Sequence, residues 1–478
     1  MWKYVNDTLM QFRKCFSREK AFRWFAVAVL GLMLWTEHDG ITSIIRTLGI
    51  NPYLYENLVH FFHASSWNLN SIMECWVRIV FGSGLVYRVA GKPVTIGDGV
   101  KKSKEGRKIS CVKKLHQESE NSGKSEYIHG RMFGAIGVIL NNFGKFFCCL
   151  LSMRFHDGNE VVGRWAGDEK AEYSHVVRLI YEAFAIFVIV GVPSILLLDS
   201  YFLSKPAMEA YKLLTEQHGN LMTIVTRGTA INAAFEEPPG RTGKRGAPRK
   251  KGEKIKLIKL FESEKSSFIT GKVNIYGKCE TVSYLVKDLL WGEGLYIKLR
   301  FVLVNLGKKK VILVCTDLFM SPLHIIELYS KRFKIECSFR SFNQVIAGFA
   351  SRFWSTAAPK LDRFVKNVVM SERLAAVPKE MQSKIVSAYK ATEGFVMMAC
   401  IALGMLQLVS LLFGEKINVF RWLRTQRNIL PSEATAADFM RKTFFRKSCF
   451  KSDLEIASLI QSVQMPDDEV NSQLDSCG

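Results

Sequence analysis

The run Ile195-Leu196-Leu197-Leu198 is apolar without a break and closes on Asp199. A strand with one wet face alternates apolar and polar residues. A continuous apolar strand must be covered on both faces, as in a parallel sheet flanked by helices. The neighbouring pattern agrees. A helix is predicted over about residues 171–188, another near Ser204–His218, and then a strand, LMTIVTR, ending at Arg227. Upstream, KPVTIGDG reads as a short β-run ending in Asp98. MFGAIGVIL and FFCCLLSMRF follow as two further apolar strands, separated by Asn141, Asn142 and Gly144. Three strands followed by alternating helix and strand make an α/β fold with a mixed central sheet.

The other regions divide around this core. Residues 1–88 read as a helical N-terminal domain. Within it, ITSIIRTLGINPYLYENLVHFF fits either a DNA-binding helix-turn-helix, with Pro52 in the first turn of its second helix, or an ordinary helical hairpin. Residues 89–227 form the first part of the core. Residues 228–320 interrupt it with a basic loop and β-rich segments (KVNIYG, CETVSYLV, LYIKLRFVLVN, KKVILVCTD). Residues 321–415 return to helix and complete the core. Residues 416–478 read as a helical C-terminal region ending in a disordered tail, MPDDEVNSQLDSCG. Phe395–Phe413 is long enough to span a bilayer, and a buried core helix accounts for it equally well; a chain of this charge is expected without a membrane.

Lys and Arg total 66 against 44 Asp and Glu, a formal charge of +22. That excess argues against a small neutral substrate and favours a polyanion, nucleic acid first. Nine of the basic residues lie between Arg241 and Lys259, with Glu253 the one acid among them, and Lys101, Lys102, Lys104, Arg107 and Lys108 form a second run. Both suit a phosphate backbone. The eleven cysteines include no C-x2-C pair, which excludes the common zinc patterns and fits buried thiols. No Gly-rich phosphate loop is present, so no nucleotide cofactor is expected.

The densest chemical signal is SPLHIIELYSKRFKIECSFRSFNQ, read as one helix. Tyr329, Arg332, Glu336 and Asn343 stand at offsets of 3, 7 and 14, near whole turns, and so share a face with Arg340 beside them. Ile335, Phe339, Phe342 and Ile346 form a separate apolar stripe. YSKRFKIECSFRSFNQ resembles the Y-x2-R-x3-E-x6-K signature of bacterial insertion-sequence transposases of the DDE class, with Asn343 standing where that family usually has Lys. LLLDSYFLSKPAMEAY resembles the family's second-aspartate segment, and VTIGDGVKKSKEGRKISCV its first, although Val100 stands where many relatives have Thr or Ser.

The resemblance covers about residues 90–350 and implies an RNase H-like core split by the β-rich insertion. It implies that Asp98, Asp199 and Glu336 are catalytic and hold two Mg2+ or Mn2+ ions, with carboxylates supplying the hard oxygen ligands such ions take. Asp317, which also ends an apolar strand, is the alternative ligand. The partners implied are transposon-end and target DNA and a second copy of the chain on paired ends, in a prokaryotic cytoplasm at the nucleoid. Tyr329, Arg332, Arg340, Asn343 and Arg227 are expected at the DNA, with Arg245, Arg249, Lys250 and Lys251 of the basic loop. Trp291 is a candidate there too, since some relatives stack a flipped base on a tryptophan of the insertion, although its place in the β-rich region favours a packed core ring. A catalytically inactive DNA-binding protein of transposase descent is the alternative function.

Overall fold

The computed structural model describes every residue except His38, Glu105, Arg107, 118–125, 241–247, Lys308, 361–369, 419–429, 447–453 and 467–478. The core is a mixed sheet. Its central strands are β1 (Lys92–Ser103), β2 (Tyr127–Asn142), β3 (Lys145–Asp157), β4 (Ser194–Leu197) and β5 (Met222–Gly228). In space they run β3-β2-β1-β4-β5. β2 is antiparallel to both β3 and β1, and β1, β4 and β5 are parallel. All four residues of β4 are buried, as its unbroken apolar run requires. Helix α2 (His175–Val190) joins β3 to β4, and α3 (Lys205–His218) joins β4 to β5.

The insertion extends this sheet. Strands β6 (Ile269–Ile275), β7 (Lys278–Trp291), β8 (Ile297–Leu306) and β9 (Lys309–Cys315) form an antiparallel series, and β9 pairs with β5. With short outer strands, thirteen described strands make one connected sheet. Two helices follow, α4 (Pro322–Lys331) and α5 (Lys334–Gln344), where the sequence predicts one. The break falls at Arg332 and Phe333. Glu336 N–H donates to the Phe333 carbonyl three residues back, so the turn is tightened although both residues keep right-handed helical dihedrals.

Helix α6 (Lys379–Asn418) contains the run that could cross a membrane by length and composition. Its most apolar window is 94% buried inside the protein, against β3, α5 and the N-terminal helix α1 (Glu19–Leu34). The hydrophobic demand of that run is met by the fold itself. The segment read as a helix-turn-helix forms helices Ile41–Leu48 and Tyr55–His63, joined through Gly49 in the left-handed region. The second of them packs on α6. The segment read as a disordered tail lies outside the described residues from 467 onward.

Two glycines set how closely α2 approaches the sheet. Gly99 of β1 and Gly134 of β2 are cross-strand partners. A Cβ on Gly99 would stand 2.9 Å from the His175 ring, and one on Gly134 2.1 Å from the His156 ring. The rings fill that space and bond to each other through their Nδ1 atoms at 2.9 Å, while His156 Nε2 lies 3.0 Å from Glu182. Gly134→Ala is therefore expected to cost about 1–3 kcal/mol of stability, as overpacking does. His156 is fully buried and held at both nitrogens, so it cannot step aside. Urea unfolding that left the midpoint unchanged would contradict this.

Candidate active site

The parallel register places the two aspartates. Val94, Thr95 and Ile96 of β1 pair with Ile195, Leu196 and Leu197 of β4, a constant offset of 101. Carried two residues onward, that register puts Asp98 beside Asp199. The β4–β5 register, Leu197 opposite Val225, puts Arg227 beside Asp199 in the same way. Asp98, Asp199 and Arg227 thus form a row across the carboxyl edge of three neighbouring parallel strands. β1 does not end at Asp98, as KPVTIGDG suggests, but continues antiparallel to β2 as far as Ser103. Asp98 stands where the parallel pairing with β4 stops, and the aspartate is freed on that side.

Helices α4 and α5 bring the third acid over this edge. The Ser338 hydroxyl donates to the Cys148 carbonyl at 2.6 Å, and buried Ile335 and Phe342 seat α5 on the sheet. Arg332 lies at the junction of the two helices, and its guanidinium meets all three acids. Nη2 lies 2.5 Å from Asp98 Oδ2 and 3.8 Å from Asp199 Oδ2, and Nη1 lies 2.5 Å from Glu336 Oε1. Asp98 also accepts from Gly99 N–H at 2.8 Å, and Asp199 from Tyr201 N–H at 2.9 Å.

Burial raises the Asp98 carboxyl to about 7 against the pull of Arg332, with Asp199 and Glu336 adding to the rise. Burial lowers Arg332, but the three carboxylates outweigh it and leave its pKa above the ordinary value. Tyr329 is raised to about 12 by burial, with Arg332 and Arg227 opposing. The cluster is crowded with negative charge and leans on one cation. The unfolded chain releases the Asp98 proton near pH 4 and the folded chain near pH 7, so stability falls as pH rises through that interval. Asp98→Asn is expected to stabilise the metal-free protein above pH 7, by at most about 4 kcal/mol, the equivalent of the shift. It is expected to change little near pH 4. Thermal unfolding in chelator across that range reads the effect.

The remaining expected site residues divide. Tyr329 is half-buried beside Arg332 and Arg227, and Arg340 is exposed on α5. Asn343 is exposed and accepts from Lys102 Nζ at 2.6 Å. Asp317 does not join the acids. It follows β9, which runs antiparallel to β5, so it emerges at the opposite edge of the sheet, where it pairs with Lys92 at 2.8 Å. That excludes it from the cluster. Trp291 is 7% exposed and ends β7 within the core, so no base can stack on it as the protein stands. Its sequence context, an apolar strand end, favours a packed ring.

Of the basic loop, Arg249 and Lys250 are exposed. Lys251 is engaged with Glu293 at 2.6 Å and lies over the Phe235 ring. Arg245, with Arg241 and Lys244, lies outside the described residues. The sequence does not reveal Arg332 as the hub of the acids. A family signature names residue types, and which groups an arginine bridges depends on strands more than a hundred residues away.

Carboxylates supply the hard oxygen donors that Mg2+ or Mn2+ takes. Among the described residues no three His, Cys, Asp or Glu side chains form a ready metal cage. The acids instead surround a guanidinium, so the position already accommodates positive charge. No protein-family profile, curated protein or solved structure matches the chain.

Proposed function

We propose that this chain is a DNA transposase of the DDE class, cutting and joining DNA strands at an RNase H-like core. One observation carries the reading: Asp98, Asp199 and Glu336, picked out from sequence across 238 positions, meet on one guanidinium. The strand order supports it, with three antiparallel strands, two parallel ones alternating with helices, and a β-rich insertion before the Glu336 helix. Asp98, Asp199 and Glu336 would hold two divalent ions. When bound, such ions activate the attacking oxygen and stabilise the leaving 3′ oxygen in an in-line phosphoryl transfer.

The chain's own groups do the rest. Arg332 would compete with such ions for the same oxygens; released from the carboxylates, its guanidinium would be free to meet a phosphate. Arg227, in the same row as Asp199, faces the same approach. The net charge of +22 supplies the attraction to DNA. The reaction is hydrolysis at the element's ends, followed by attack of the freed 3′ hydroxyl on target DNA. A dimer on paired ends in the cytoplasm, at the nucleoid, belongs to the same proposal.

The test is to incubate purified protein with supercoiled DNA in Mg2+, in Mn2+ and in chelator. Nicking in either metal and none in chelator is expected. Binding without cutting in any metal would favour the inactive DNA-binding descendant and sink the enzymatic reading.

A further inference from the structure

Beyond the acids, the same face of β1 changes sign. Asp98, Val100 and Lys102 alternate onto one side of the strand, and Lys104 continues that side just past its end. Lys102 Nζ donates to Asn343 at 2.6 Å, seven residues along α5 from Glu336. Lys104 Nζ donates to the carbonyls of Phe349 and Ser351 at 3.1 and 2.5 Å. Buried Arg131, on the partner strand β2, donates to the Ser110 carbonyl. Exposed Arg352 is close enough to act on Lys104. Among the described residues no carboxylate pairs with any of these four cations; Lys102, Lys104 and Arg131 rest on neutral oxygens. Burial brings Lys104 down to about 8, and Arg131, Arg352 and Lys102 push the same way.

Like charges gathered without counterions repel one another, and a phosphate arriving among them relieves that repulsion. Their position is as informative as their charge. Asp98 to Lys102 is four residues of strand, roughly 13 Å at 3.3 Å each. Glu336 to Asn343 is seven residues of helix, roughly 10 Å at 1.5 Å each. Strand and helix therefore carry two matched rungs, acidic at Asp98–Arg332–Glu336 and basic at Lys102–Asn343. The gap is about three to four nucleotide steps of one DNA strand, at 3.4 Å per step.

We propose that Lys102, seated on Asn343, and beyond it Lys104 with Arg352 form a phosphate track that grips one DNA strand, beginning with Lys102 about three to four nucleotides from the bond being cut. The track rests on the DNA-cleaving reading above and specifies its substrate: a strand that continues on that side of the cut for several nucleotides. Lys102 is a positioning residue, since it holds the backbone while the acids act.

The test uses the full chain and a short synthetic duplex of arbitrary sequence whose Mg2+-dependent cut has been mapped. Lys102→Ala is expected to lower the slope of log affinity against log salt by about 0.9, one phosphate contact, on any sequence. Adding Asn343→Lys to Lys102→Ala returns a cation to the same place and is expected to restore the slope. A duplex with a single uncharged methylphosphonate is expected to bind wild type more weakly when that linkage lies three or four nucleotides from the cut. It should make no difference to Lys102→Ala. A wild-type slope in Lys102→Ala, or a methylphosphonate effect equal in both proteins at every position, would overturn the track while leaving cleavage, and so the enzymatic reading, intact. Failure of wild type to cut in any divalent metal would remove that reading and the register with it.

Discussion

Asp199→Asn is expected to abolish metal-dependent strand cleavage, by at least about a thousandfold, while DNA affinity stays within a few-fold of wild type. The change keeps the shape of the side chain and its capacity to accept from Tyr201 N–H, so the turn after β4 survives. It removes one of three carboxylate charges from a site proposed to hold two divalent ions, and phosphoryl transfer depends above all on electrostatic stabilisation of that kind. Most protein–DNA contacts go to phosphates through Lys and Arg, and none of these depends on Asp199. Single-turnover cleavage and a binding titration on the same duplex separate the two effects. A variant that cuts at the wild-type rate in Mg2+ would remove Asp199 from the site.

Much of this is legible in sequence because it depends on local pattern. The strands and helices from Tyr127 to Gly228 follow from apolar runs punctuated by turn residues, and the four long insertion strands from β-branched runs. Asp199 lies just past its strand, where the apolar run stops, and caps the turn that follows. What escapes the sequence depends on pairing. That β1 runs on past Asp98 is decided by its antiparallel partner β2, not by its own composition. That Asp317 leaves the site follows from β9 running antiparallel to β5, and no feature of VILVCTD records direction. For Trp291 only the resemblance implies a stacking ring; the apolar strand end around it favours a packed one, and its burial is settled by the packed insertion. The helix carrying Tyr329 and Glu336 looks continuous because every residue between them is compatible with helix. The break at Arg332 and Phe333 appears only in how the backbone bonds.

Arg332→Leu follows from that break and should produce the largest change in stability. The side chain is 16% exposed and neutralises Asp98 at 14%. Removing one partner of a largely buried charge pair costs about 3–5 kcal/mol when the charge left behind stays ionised. Asp98 has an escape, because its carboxyl already titrates near 7 in the folded state and loses a lowering influence when Arg332 goes. An acid raised on folding destabilises as pH climbs from its unfolded value through its folded one. Below about pH 7 Asp98 is protonated in both folded proteins, so the loss relative to wild type is expected to be small there and to grow as pH rises above 7, where wild-type Asp98 ionises beside Arg332 and the variant's carboxyl does so only at higher pH. Mg2+ should then act unequally on the two proteins. In wild type the proposed ions would have to displace the guanidinium, so their net stabilisation would be reduced. In Arg332→Leu they meet an unneutralised acidic cluster, and saturation at a hundred times Kd returns about 2.7 kcal/mol. The midpoint of thermal unfolding at pH 8 should therefore rise more with Mg2+ in the variant than in wild type, while chelated samples at pH 4 should nearly coincide. A destabilisation independent of pH and unrelieved by metal would mean that Arg332 serves packing at the α4–α5 junction rather than holding the place of the ions.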